Sequence, residues 1–124
     1  MLSLPVIDLK NNSMNFKKWM LFDELINGPF GTMEPIKTQL PILPQILVVP
    51  MLSFDKQLYR LGYGGGFYDK SINILKKHFK KERKFFTTIG LAYSIQEEKK
   101  IPKEKHDMKL DYIITEKEVL SNFN

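Results

Sequence analysis

Four of the chain's seven glycines fall within five residues: Gly62, Gly64, Gly65 and Gly66. Arg60 stands just before them, and Asp69 and Lys70 just after. Glycine admits positive φ and lets the backbone approach a ligand closely. A loop of this kind presents successive backbone N–H groups. Where it also opens a helix, the positive end of the macrodipole adds to them, so the chemistry is that of holding an anion, phosphate above all. Arg60 and Lys70 are placed to add charge-assisted hydrogen bonds to phosphate oxygens. Neither common phosphate template fits. In G-x-G-x-x-G, the last position falls on Phe67 when counted from Gly62 and on Asp69 when counted from Gly64. In a Walker A loop the glycine before Lys-Ser is required, and here Asp69 precedes Lys70-Ser71.

The elements that must position this loop follow from periodicity and punctuation. Ile46–Pro50 (ILVVP) is a continuous β-branched run of the kind buried on both faces of a sheet. Residues 57–66 read as a loop, and from Asp69 the period changes. Ile72, Leu75 and Phe79 fall at i, i+3 and i+7 with lysines opposite, which predicts a helix. Residues 2–8 and 14–20 read as strands joined by the turn cluster Lys10-Asn11-Asn12-Ser13, hence an N-terminal hairpin. Residues 23–35 read as a loop broken by Gly28-Pro29, Gly31 and Pro35. Residues 85–91 and 112–115 read as further strands, 97–105 as polar loop or short helix, and 116–120 as a final helical turn. The alternation predicts an α/β fold: a mostly parallel twisted sheet with flanking helices, in three layers.

Length and composition set the bounds. At 124 residues the default is one domain, residues 1–124, with enough chain to bury a core without staples. The absence of cysteine removes disulfides, thiolate nucleophiles and cysteine zinc sites together, and two histidines, His78 and His106, argue against a histidine zinc site. The longest apolar run falls far short of the ~20 residues a membrane helix needs, and the start shows no cationic leader. A soluble, cytoplasmic protein without a membrane partner is expected. The net charge of +5 favours anionic partners, but it is carried by 17 lysines and only two arginines. The dense run Lys76, Lys77, Lys80, Lys81, Arg83 and Lys84 is read as a solvated helix face, with nucleic-acid binding as its alternative.

The segment Arg60-Leu61-Gly62-Tyr63-Gly64-Gly65-Gly66-Phe67-Tyr68-Asp69 closely resembles the nucleotide loop of 5-formyltetrahydrofolate cyclo-ligases, also called methenyltetrahydrofolate synthetases. Gly28–Pro35, Val48–Asp55 and His106–Asp111 with Thr115-Glu116 resemble other segments of that family in the same order. The resemblance implies ATP-dependent cyclisation of 5-formyltetrahydrofolate to 5,10-methenyltetrahydrofolate through a phosphorylated formyl oxygen, with ATP and magnesium required. The alternative function is a remnant that binds nucleotide or folate without turnover.

The resemblance also distributes roles. It gives Gly62–Gly66 as the phosphate cradle, with Leu61, Tyr63, Phe67 and Tyr68 in the same cofactor-binding segment. Arg60 and Tyr68 are its catalytic candidates, with Arg60 the cationic partner of the nucleotide. Phe30, Phe67 and Tyr68 fall at positions that face the pterin ring. Asp69 and Asp107 fall at magnesium positions, two hard carboxylates of the kind that metal takes. A helix N-cap is the plain structural alternative for Asp69, and a loop-ordering acid for Asp107. Trp19 is expected to pack on a sheet, and His106 to order its loop. Family members also carry an N-terminal helix, strand and helix ahead of the hairpin. The chain thus resembles their C-terminal part, and a longer product, a separate N-terminal piece or self-association would supply the remainder.

Overall fold

The computed structural model describes residues 1–105 and 107–123. The chain forms two compact units, Met1–Pro44 and Gln45–Asn124.

In the first unit, β1 (Ser3–Asp8) and β2 (Ser13–Lys18) form the expected antiparallel hairpin, with Ser3 opposite Lys18 and Asp8 opposite Ser13. Its turn is tied by Asp8. Asn11 Nδ2 donates to Asp8 Oδ2 at 2.7 Å, which holds that carboxyl below its ordinary pKa. Met14 and Phe16 alternate inward from β2, while Asn15 between them is exposed. Residues 23–35, predicted as loop, instead contain a second short hairpin, β3 (Leu25–Asn27) with β4 (Met33–Pro35). The two strands are joined through a 3-10 turn at Pro29–Gly31, where Phe30 (φ 61°) and Gly31 (φ 72°) reverse the chain. Turn residues there punctuate a hairpin rather than abolish it.

The second unit holds β5 (Ile46–Val49), β6 (Ser53–Phe54), β7 (Arg60–Leu61), α1 (Phe67–Lys81), β8 (Thr87–Leu91), β9 (Tyr112–Ile114) and β10 (Val119–Ser121). Its four-stranded sheet has the order β10-β9-β8-β5, with β5–β8 and β8–β9 parallel and β9–β10 antiparallel. Parallel neighbours need a long crossover, and α1 supplies it between β5 and β8. The helix buries the predicted face, Ile72, Leu75 and Phe79, and the sheet buries Leu47, Val49 and Ile113. Each such side chain contributes about 1.5–3 kcal/mol by leaving water. The helix ends at a left-handed Arg83 (φ 57°), where Lys84 N donates to Phe79 O at 2.9 Å. The six basic residues from Lys76 to Lys84 are all exposed.

Three expectations are corrected. The described residues contain one α-helix rather than several flanking ones, so β5 is not buried on both faces. Leu47 and Val49 are buried, whereas Ile46 and Val48 are each more than half exposed. Residues 116–120 do not form a helical turn. Thr115 Oγ1 accepts the amides of Lys117 and Glu118, closing a tight turn into β10. Within the loop predicted over 57–66, Arg60–Leu61 pairs antiparallel with Ser53–Phe54.

Gly90 shows how tightly the covered face is packed. A Cβ there would lie 2.4 Å from Met51 Cε and 2.8 Å from Leu110 Cδ1. Gly90→Ala is therefore expected to cost about 1–3 kcal/mol through overpacking. Urea unfolding should show a lowered midpoint at unchanged slope.

Candidate functional site

The site starts from a buried acid. Asp55, 2% exposed, follows β6 and accepts backbone N–H groups from Gln57 (2.9 Å), Tyr59 (3.2 Å) and Ile101 (3.0 Å). These bonds fold residues 55–59 back on themselves, with Leu58 at φ 73°, so that β7 returns beside β6. Leu52 N then donates to Leu61 O at 2.8 Å, which fixes the strand that carries Arg60 and opens the glycine loop.

Arg60 lies almost wholly inside, its side chain 5% exposed. Its Nη2 stands 3.3 Å from Oδ1 of Asp69, whose side chain is 20% exposed. Its Nη1 lies 2.6 Å from where a Cβ on Gly62 would be, so the guanidinium is folded onto the loop backbone and Gly62 is the residue that admits it. Its Cζ sits 5.8 Å from the centroid of the Tyr68 ring. Among the described residues, its buried Nε finds no hydrogen-bond acceptor.

Gly64 (φ 100°) and Gly66 (φ 69°) hold left-handed conformations that side chains rarely adopt. Gly66 is the N-cap of α1 and no side chain caps the helix. The plain N-cap reading of Asp69 is thus corrected: the helix begins earlier, placing Asp69 in its first turn, where its charge suits the dipole. Gly65 is required by contact, since a Cβ there would lie 2.6 Å from the Phe67 ring. Burial raises the Tyr68 phenol above its ordinary pKa, partly offset by the Arg60 charge, so the hydroxyl stays protonated at neutral pH.

The structure therefore gathers Arg60, Gly62, Tyr68 and Asp69 into one cluster and stacks Phe67 on Gly65. Leu61 and Tyr63 are exposed, Tyr63 at 72%. Asp107 closes its own turn: its Oδ2 accepts Glu104 N at 2.8 Å and its N–H donates to Glu104 O. Phe30 belongs to the first unit and is exposed. Trp19 is half-buried, with Nε1 donating to Asp23 O. His106, read as a loop-ordering residue, lies outside the described residues.

The family-wide pattern of 5-formyltetrahydrofolate cyclo-ligases fits residues 1–116. The chain belongs to the 5-formyltetrahydrofolate cyclo-ligase family. It is 32% identical over 112 residues to the 5-formyltetrahydrofolate cyclo-ligase of Haemophilus influenzae, covering 86% of this chain and 57% of that relative. It is 31% identical over 121 residues to that of Escherichia coli strain K12, covering 94% and 63%. The NMR structure of Aquifex aeolicus 5,10-methenyltetrahydrofolate synthetase matches at a TM-score of 0.73 and 28% identity, over 98% of this chain and 59% of that one. The chain spans about three-fifths of the length of these relatives.

The cyclo-ligase family resemblance carried a magnesium expectation, and the donor set fits a magnesium ion of one kind only. Among the described residues no three acidic or histidine side chains converge to cage a metal. Magnesium bound beside a nucleotide instead uses one or two carboxylates, with phosphate oxygens and water completing the shell. Asp69, partly exposed at the loop, meets that need. Among the described residues no helix is long and apolar enough to cross a membrane.

Two residues that order the loop region of this chain were given no role from sequence. One is Asp55. The other is Gln96, whose Nε2 donates to Met51 O (3.0 Å) and Leu52 O (3.1 Å) while its Oε1 accepts Tyr93 N (2.7 Å). It ties the chain after β8 to the turn after β5. Nearby, Ser94 donates through N and Oγ to Glu116, which holds that carboxyl below its ordinary pKa. In the sequence Asp55 appeared only as the end of the family-like segment Val48–Asp55, and nothing in the spacing singled out Gln96.

Proposed function

We propose that this chain supplies the nucleotide-binding part of an ATP-dependent 5-formyltetrahydrofolate cyclo-ligase, forming 5,10-methenyltetrahydrofolate. The observation that carries the reading is Arg60: a buried guanidinium with an unsatisfied donor, folded onto a glycine loop at the uncapped start of α1. Such a group, with the amides of Gly62–Gly66, suits phosphate oxygens. In the reaction the formyl oxygen attacks the γ-phosphorus, ADP leaves, N10 closes on the activated carbon and inorganic phosphate departs. Phosphoryl transfer asks mainly for positioning and charge neutralisation, which is what Arg60 and the loop offer. Leu61 and Tyr63 border the nucleotide; Phe67 and Tyr68 offer flat faces to the pterin. Tyr68 keeps its proton and donates to an oxygen on the reacting group. Asp69 would hold magnesium, with Asp107 as the second carboxylate, and the ion would supply neutralisation of phosphate charge.

The test is ATP- and magnesium-dependent growth of methenyltetrahydrofolate absorbance from 5-formyltetrahydrofolate. Gly65→Asp is expected to cut it about 100-fold or more, since a carboxylate among the amides repels phosphate. Undiminished turnover in that variant would remove the loop from the site. Saturable ATP binding without product would assign the chain to nucleotide binding alone.

A further inference from the structure

We infer that Tyr59, Lys103 and Lys109 form an anion-binding clamp, separate from the glycine loop, that takes a dianionic phosphate group. The convergence starts from the backbone. Buried Asp55 accepts Ile101 N at 3.0 Å, and Leu110 N donates to Leu58 O at 3.0 Å. Ile101 and Leu110 are themselves buried, so the segment between them is pinned at both ends to the turn that carries Tyr59. Lys103 follows one pin closely and Lys109 directly precedes the other. Their ammoniums reach the same half-buried ring: Lys103 Nζ stands 4.2 Å, and Lys109 Nζ 5.6 Å, from the Tyr59 centroid. Lys103 also lines an open groove with Lys100, Ile101 and Pro102.

A ring face attracts a cation through its quadrupole but carries no net charge. Tyr59 therefore orients two ammoniums without neutralising either. Among the described residues neither lysine makes an ion pair. Of the acids on the same segment, Asp107 accepts the amide of Glu104 at 2.8 Å, and neither acid is paired with these lysines. Two like charges held at one ring repel, and an anion between them offsets that repulsion. Lysine presents a point charge with three donors and no planar fork, which suits the oxygens of phosphate better than the plane of a carboxylate. Two such charges match a dianion. Arg60 directly follows Tyr59 but is folded onto Gly62 and paired with Asp69, so the clamp and the glycine loop draw on different cations.

Amide chemical shifts of the full chain, followed by NMR as inorganic phosphate is added at constant ionic strength, test the clamp. Saturable shifts are expected at Tyr59, Lys103 and Lys109, with a dissociation constant on the order of 1 mM. Lys103→Gln and Lys109→Gln are each expected to weaken binding about tenfold, the scale of one lost charge-assisted bond. Tyr59→Leu frees both lysine chains and is expected to weaken it about fivefold. Tyr59→Phe keeps the ring face and is expected to bind as wild type does, which keeps the ring testable should the leucine variant fold poorly. Unchanged affinity in the glutamine or leucine variants, or shifts that grow without saturating, overturns the inference. Arg60→Met is expected to leave the three shifts intact; their loss in that variant would assign the phosphate to the glycine loop instead. Glutarate, a dicarboxylate of the same charge, is expected to bind more weakly than phosphate. Equal or tighter binding of glutarate overturns the choice of phosphate as the ligand.

Discussion

Arg60→Lys is expected to lower nucleotide-dependent turnover by about 10³-fold, the scale on which a single arginine acts in phosphoryl transfer. The substitution keeps the charge and discards the fork. Arg60 uses three directions at once: Nη1 lies over Gly62, Nη2 faces Asp69, and Nε waits for an acceptor. An ammonium on a flexible stem cannot hold that set, and it is more strongly hydrated, so it resists a site this dry. Arg60→Met goes further and leaves Asp69 without its cation. The stability cost there is on the order of 1–2 kcal/mol, discounted because Asp69 keeps a fifth of its surface in water. Pairing Arg60→Met with Asp69→Leu separates the two effects. Replacing both charges with apolar groups is expected to restore the urea midpoint and leave turnover absent. Recovery of turnover in the double variant would show that Arg60 only supports the fold.

The loop was legible in the sequence because glycines clustered at this density have a backbone consequence, and two of the four do hold positive φ. The helix was legible because Ile72, Leu75 and Phe79 repeat at its period, and β1–β2 because turn residues separate two apolar runs. What was not legible depends on distance through space. Arg60 and Asp69 are nine residues apart, and nothing in that spacing says they touch; the hairpin of β6 and β7 brings the guanidinium back to the helix start. The cap alternative for Asp69 arose because left-handed Gly66, which starts the helix earlier, leaves no mark distinct from its glycine neighbours. Ile46 and Val48 read as core because β-branched runs report strand propensity on both faces, while burial depends on what covers each face. β10 was missed because the Thr115 hydroxyl takes the amides that would have begun a helical turn, a competition that propensity does not register.

The largest stability effect is expected at Asp55, outside every residue to which the sequence assigned chemistry. Asp55→Ala leaves three backbone N–H groups, of Gln57, Tyr59 and Ile101, without their acceptor in a region where Asp55 itself is 2% exposed. An unsatisfied buried donor costs about 1–3 kcal/mol, so the loss is about 3–5 kcal/mol even if one amide finds water. That is a large part of the ~5–15 kcal/mol that stabilises an ordinary domain. The damage should also be directional. Leu58 holds its left-handed φ only while Asp55 closes the turn, and β7, which carries Arg60 into the loop, follows within two residues. Asp55→Asn retains one carbonyl oxygen and so keeps at most the bonds that a single oxygen accepts. It is expected to lose about half as much stability, and to weaken nucleotide binding in proportion to the loosened hairpin. Hydrogen exchange is the decisive measurement: the amides of residues 57–61 should lose protection well before those of α1. Uniform loss of protection across the second unit would mean that Asp55 stabilises the core as a whole, with no privileged hold on the hairpin that delivers Arg60.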